Sequence, residues 1–171
     1  MTSAPHPEPS AMTLSCAVIT VSDTRSLETD KSGQLMQEFL QEAGYSVGVY
    51  KIIKDEPRQI HAQLAALCNY SDLDAIIFSG GTGIAPRDTT YDALESLLEK
   101  TLPGFGELFR FLSYQEIGSR VIASRAVAGV YRGKLVFSLP GSSNAVRLAL
   151  EKLICINSSS SLSPSFSWLR S

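Results

Sequence analysis

Two aspartates and a group of glycines are the residues of this chain whose types and spacing could do chemistry. Residues 76–88, IIFSGGTGIAPRD, run from an apolar stretch into Gly80, Gly81, Thr82 and Gly83 and then reach Asp88. Glycines let a backbone turn sharply and bring amide N–H groups up to an anion with no side chain in the way. An acid a few residues on suits Mg²⁺, which binds through one or two carboxylates together with phosphate oxygens. Asp55, in KIIKDEP, ends another apolar run, and at the same edge of a sheet it would face Asp88 across a pocket. Each has a plainer reading: glycines that only end a strand, Asp88 as a helix-start acid, Asp55 as a turn acid. The residues alone leave both readings open. The run is not Gly-x-x-x-x-Gly-Lys-Ser/Thr, so it is no P-loop, and it is not Gly-x-Gly-x-x-Gly, which disfavours dinucleotide binding. PGSSN, residues 140–144, has the same small polar character, although Ser and Asn cap helices whether or not anything binds.

Such residues need a frame. LSCAVITV, VGVYKII and LDAIIFS read as buried strands, rich in Val and Ile and too short for typical helices. Between them, SGQLMQEFLQEAG carries Leu35, Met36, Phe39, Leu40 and Ala43 at helical spacing, and RQIHAQLAALCNY carries Ile60, Leu64 and Leu67. YDALESLLEK repeats the helical pattern through Leu94, Leu97 and Leu98. This alternation predicts a parallel sheet covered by helices. PGFGELFRFLSYQEIG then reads as a loop and a short helix, its aromatics as core or subunit contact. VIASRAVAGVY and KLVFSL follow, joined at Arg132-Gly133 as an antiparallel hairpin at the sheet edge, and SNAVRLALEKLI is the last helix. Ligands of such sheets collect beyond the carboxyl ends of the strands, where three loops stand out: residues 22–33, 79–88 and 140–144.

The chain has 171 residues with a formal net charge of -2 at pH 7, which suits one domain and gives no bulk attraction to nucleic acid or anionic membrane. Any anion must be held locally. Cys16, Cys68 and Cys155 lie far apart with only two histidines beside them, which suggests neither a disulfide framework nor a zinc site and points to the cytoplasm. Residues 1–12 read as a disordered arm, 13–156 as the domain, and the Ser-rich 157–171 as a mobile tail, with no signal peptide and no membrane span.

TVSDTR, DKSG, SGGTG with RD following, PGFGE, FRFLSYQEIGSRVIASRAVAG and LPGS, in that order over roughly residues 14–154, are similar to the MoaB/MogA family of molybdenum-cofactor biosynthesis proteins, with a lean to the MoaB branch. The resemblance implies a three-layer α/β/α domain that binds molybdopterin and adenylylates its terminal phosphate with MgATP, releasing pyrophosphate. It implies Asp55 and Asp88 as catalytic acids and Mg²⁺ ligands, and Gly80, Gly81, Thr82 and Gly83 as the phosphate cradle. It puts Gly141 and Ser142 on the pterin side, and Thr20, Ser22, Asp23 and Thr24 at the matching edge of the first strand. It also implies a homotrimer or homohexamer working with other molybdenum-cofactor biosynthesis proteins, without nucleic acid or membrane. Catalysis of that kind rests on charge neutralisation and positioning, because a phosphate monoester is already ionised at pH 7. Arg87 and Lys31 would share in the neutralisation or remain solvated surface residues. Two other classes stay open: a protein that holds molybdopterin without adenylylating it, and a scaffold subunit that binds no ligand.

Overall fold

The computed structural model describes residues 14–155, so the expected amino-terminal arm and Ser-rich tail fall outside it. Strands β1 (Ser15–Val21), β2 (Ser46–Ile53) and β3 (Ala75–Ser79) are the three apolar runs, and helices α1 (Lys31–Glu42) and α2 (Pro57–Cys68) are the periodic stretches between them. Asp30 caps α1 by accepting the N–H of Gly33 at 3.1 Å, and Pro57 opens α2 at a position whose N–H has no helical partner anyway. The chain continues through α3 (Thr90–Glu95), β4 (Lys100–Thr101), α4 (Pro103–Ile117), a 3₁₀ segment (Gly118–Ala123), β5 (Val127–Tyr131) and β6 (Lys134–Leu139). It ends in α5 (Ser143–Ala149), which widens into a π-helical stretch over Leu150–Ile154.

The six strands form one sheet in the order β2-β1-β3-β6-β5-β4. The first four run parallel, β5 is antiparallel to β6, and β4 is antiparallel to β5. Arg132 and Gly133 turn the hairpin with φ of 47° and 73°, the positive values that let a two-residue turn match the strand twist. Val18, Ile77 and Phe137 face the layer of α1, α4 and α5 and pack with Met36, Leu40, Phe109 and Val146. Ile19, Ile76, Phe78 and Val136 face the opposite layer and pack with Ile60, Leu64, Leu67 and Leu94. Burial on both faces is why the central strands read as unbroken apolar runs, each large side chain contributing about 1.5–3 kcal/mol. The expected α/β architecture, mostly parallel with an antiparallel edge hairpin, is the one observed.

Three local expectations need correction. Residues 103–117 form one 15-residue helix, the longest of the described residues, where a loop and a short helix were expected. Pro103 sits at the helix start, where it fits, and Gly106 lets the helix lie against the carbonyl of Ala126, 2.7 Å from where a Cβ would stand. The third helix stops at Glu95, before Leu97 and Leu98, because the chain turns there to lay Lys100 and Thr101 beside β5. Finally, VIASRAVAGVY is strand only from Val127, its first part being 3₁₀.

The order of the strands creates the crevice. From β1 the chain moves out to β2, and α2 brings it back across to β3, so the loops after β1 and β3 leave in opposite directions and part between them. Among the described residues no helix is long and apolar enough to cross a membrane.

Candidate functional site

A cleft of about 410 Å³ opens at this parting, walled by Ser22, Thr24 and Arg25 after β1, by residues 80–83 and Asp88 after β3, and by Pro140 and Gly141 after β6. Ala123 and Ser124 close it from the 3₁₀ side. Ser22, Arg25 and their neighbours also wall a broader trough of about 800 Å³ that follows β2.

The glycines after β3 are required by contact as well as by conformation. Gly80 and Gly81 have φ of +108° and +61°, which side chains rarely adopt. A Cβ on Gly80 would overlap the carbonyl oxygen of Val21, and one on Gly81 would overlap the Asp55 carboxylate and the Thr90 hydroxyl. The Asp88 carboxylate occupies the corresponding space at Gly83. Both acids therefore pack against the loop itself. Among the described residues no acceptor meets the N–H groups of Gly81, Thr82, Gly83 and Ile84. Four successive free amides in a Gly-rich turn give the concave, partly positive surface that takes up phosphate oxygens.

The two acids are held differently. Asp55 Oδ1 accepts three hydrogen bonds, from Thr89 N at 3.1 Å, Thr89 Oγ1 at 2.7 Å and Thr90 Oγ1 at 3.2 Å. That ties the end of β2 to the start of α3 and leaves Oδ2 against Gly81. Asp88 Oδ2 accepts the N–H of Ala85 at 3.2 Å, closing the turn, while Oδ1 meets no donor among the described residues. Asp88 stands in the wall of the cleft and also of a second hollow, about 510 Å³, on the far side of the loop. The expectation that the acids face one another across open space is thus refined: Asp55 braces the loop from behind, and Asp88 lies at its mouth.

The remaining expected residues divide. Ser22 shapes its loop by accepting the N–H groups of Thr24 at 3.2 Å and Arg25 at 3.1 Å, and both Ser22 and Thr24 line the cleft. Asp23 turns away from it, accepting the Asp55 N–H at 3.2 Å and lying 3.9 Å from Arg87, whose side chain is largely exposed. Thr20 is buried beneath the cleft, beside Asp30. Gly141 lines the cleft, whereas Ser142 accepts the N–H of Ala145 at 3.2 Å and caps α5.

Three charged residues escaped the sequence reading. Arg25 lines the cleft and is held by Ser32 Oγ at 2.6 Å, Asp30 Oδ1 at 3.3 Å and the Gly141 carbonyl at 3.0 Å, so it joins the β1 and β6 loops. Asp30 is buried, and Tyr50 donates to its Oδ2 at 2.7 Å. Burial pushes its pKa up, but Thr20, Tyr50, the Gly33 N–H and Arg25 outweigh this and hold it below the usual carboxylate value. Arg125 reaches the Gly-rich loop from behind. Each of the three lay inside a quoted motif, TVSDTR, DKSG and SRAVAG, and presence in those motifs was the only signal the sequence offered. The thiols of Cys16 and Cys155, by contrast, are buried and pushed up to about 12 by loss of solvation, which makes them inert packing groups.

The family described as "Probable molybdopterin binding domain" matches residues 17–158. The chain is 51% identical over 150 residues to molybdenum cofactor biosynthesis protein B of Halalkalibacterium halodurans, covering 87% of this chain and 88% of that one. It is 56% identical over 140 residues to the protein of the same name from Bacillus subtilis, covering 81% and 82%. A crystal structure of molybdenum cofactor biosynthesis protein B superposes with a TM-score of 0.83 at 49% identity, over 86% of this chain and 92% of that chain.

Proposed function

The chain belongs to the molybdenum cofactor biosynthesis family built on the molybdopterin-binding domain, and from that premise we propose that it binds molybdopterin and transfers the adenylyl group of ATP to its terminal phosphate. The observation that carries this reading is the row of unpartnered amides at Gly81, Thr82, Gly83 and Ile84 with the Asp88 carboxylate at its mouth. In the proposed reaction a phosphate oxygen of molybdopterin attacks the α-phosphorus of ATP, the bond to the β-phosphate bridging oxygen breaks, and pyrophosphate leaves with the electron pair. The loop amides hold phosphate oxygens in a fixed place, and Arg25, itself anchored by Asp30 and Ser32, supplies positive charge in the same wall. Cleft and trough adjoin at Ser22 and Arg25, which gives room for two anionic substrates side by side.

The donor set fits a hard divalent cation. Among the described residues no three or more acids, histidines or cysteines gather as a metal cluster, and Mg²⁺ needs only one or two carboxylates beside phosphates. Asp88, with Oδ1 free of protein donors, would hold it at the mouth of the loop, while Asp55 would act from behind by bracing that loop. When bound, Mg²⁺ neutralises triphosphate charge.

One observation favours the second reading, a protein that binds molybdopterin without transfer: Asp55 Oδ1 is already spent on three donors, as befits a bracing residue. Incubating the purified protein with molybdopterin and MgATP decides between them. Adenylylated molybdopterin with pyrophosphate is the expected product; saturable molybdopterin binding without product supports the binding protein, and no binding removes both.

The proposal places the protein in the cytoplasm among other molybdenum-cofactor biosynthesis proteins, as a homotrimer or homohexamer. Leu108, Phe111 and Tyr114 on the outer side of α4, with Ile122 beyond it, are exposed by 53–83%, an apolar face suited to a subunit contact. Light scattering at micromolar concentration is expected to give three or six chains, and a monomer would remove this part of the proposal.

A further inference from the structure

We propose that Arg125 is the positioning residue that sets the anion-binding conformation of the Gly-rich loop; this rests on the reading of that loop as a phosphate cradle. Arg125 sits between the 3₁₀ segment and β5, distant in sequence from residues 80–84. Its Nε donates to the Thr82 carbonyl at 2.9 Å and its Nη2 to the Gly83 carbonyl at 2.6 Å. The same guanidinium forms a two-pronged pair with Asp92 of α3, at 2.9 and 3.1 Å, and lies over the Tyr91 ring, 4.5 Å from its centroid.

The consequence follows from peptide geometry. In a trans peptide the C=O and the next N–H point in opposite directions, and the described residues contain no cis bond. Drawing the Thr82 and Gly83 carbonyls to Arg125 therefore turns the Gly83 and Ile84 N–H groups away from it. Arg125 stands in the wall of the hollow behind the loop, and residues 80–83 line the cleft in front. A positive charge behind the carbonyls also polarises these peptides in the sense that strengthens their N–H ends toward an anion.

The rest of the loop has other anchors. Gly80 N–H donates to the Leu139 carbonyl at 2.9 Å, and Asp88 and Asp55 hold the far end. Among the described residues Arg125 alone bonds to the middle carbonyls, in a segment whose glycines have the most conformational freedom to lose. Lysine would not replace it, since four acceptor oxygens on two sides need a planar fork. The Asp92 pair and the Tyr91 ring fix the plane of that fork before any ligand arrives.

The test is a titration of the ¹⁵N-labelled full chain with pyrophosphate, following the amide signals of residues 81–84, alongside melting temperatures. In the wild type these signals are expected to shift saturably, and Arg125→Gln to weaken binding at least tenfold with β1 and β3 signals unchanged. Arg125→Lys, the variant to rely on if Arg125→Gln does not fold, is expected to melt within a few degrees of the wild type and bind at least fivefold more weakly. Wild-type affinity in a folded Arg125 variant overturns the role of Arg125 and leaves the cradle standing. Absence of any shift at residues 81–84 in the wild type overturns the cradle, and this proposal with it.

Discussion

The loops after β3 and after β6 are both short runs of Gly, Ser and other small residues set before a helix at the same sheet edge, and in each an arginine takes backbone carbonyls, yet different side chains pack against them. After β3 the carbonyls of Thr82 and Gly83 are taken by Arg125, the two acids fill the space that glycine side chains would occupy, and four amides are left free. After β6 the Ser142 hydroxyl caps α5, and the Gly141 carbonyl is taken by Arg25. Small polar composition therefore permits an anion site, and the side chains packed against the loop decide its shape: two acids against the glycines after β3, a helix-capping hydroxyl after β6. Ser142, expected on the pterin side, is engaged as a helix cap, and Pro140 and Gly141 are the residues of that loop that reach the cleft.

The comparison can be broken at its strong side first. Asp88→Asn keeps size and hydrogen-bonding capacity but removes the charge at the mouth of the β3 loop. Adenylyl transfer is expected to fall about a hundredfold or more, roughly 3 kcal/mol of transition-state stabilisation, with little change in melting temperature. Full transfer activity in this variant would leave Asp88 as a turn acid. Gly81→Ala comes next: a side chain at φ +61° that also meets Asp55 and Thr90 is expected to cost about 2–3 kcal/mol in chemical unfolding. An unchanged denaturation midpoint would show that the loop has room to shift.

The link between the loops gives a smaller effect with a pH signature. Asp30→Asn is expected to lower stability by about 2 kcal/mol at pH 7, the scale of hydrogen bonds to a charged group. Because the folded pKa of Asp30 lies below its unfolded value, its contribution is fully present above that unfolded value, about 3.9, and is lost as pH falls through the folded one. Urea midpoints of wild type and variant should therefore stay apart at pH 5–7 and converge below about pH 4; a gap independent of pH would assign the loss to packing. Smallest of all, Ser142→Ala should cost about 1 kcal/mol through the lost cap and leave molybdopterin binding within about twofold. A tenfold weaker binding would return Ser142 to the pterin side and erase the contrast between the loops.

The sequence was legible where one local rule dominates. Buried strands show themselves as Val- and Ile-rich runs, and α1 and α2 by their 3.6-residue period, because each must place apolar side chains on the faces it covers. It misled at residues 95–126, where Leu97 and Leu98 pack from a turn after α3 has ended, and where Gly104 and Gly106 lie inside a helix that tertiary contact stabilises. For the site, the glycines and the order of motifs pointed to the loop and, through the family resemblance, to Asp55 and Asp88 as its expected acids.

What sequence by itself determined is the buried parallel strands with α1 and α2, the alternation that demands a covered parallel sheet, and the Gly-rich run that only a tight loop accommodates. Strand order, and with it the crevice between the β1 and β3 loops, was decided by tertiary structure, since nothing local tells β3 to pair on the far side of β1 from β2. So were the partners of charge: Arg25 with Gly141 and Arg125 with Thr82 and Gly83 are separated by 116, 43 and 42 positions. Such pairs carry no periodicity to read, because a partly buried guanidinium is stabilised by whatever acceptors the folded chain brings around it.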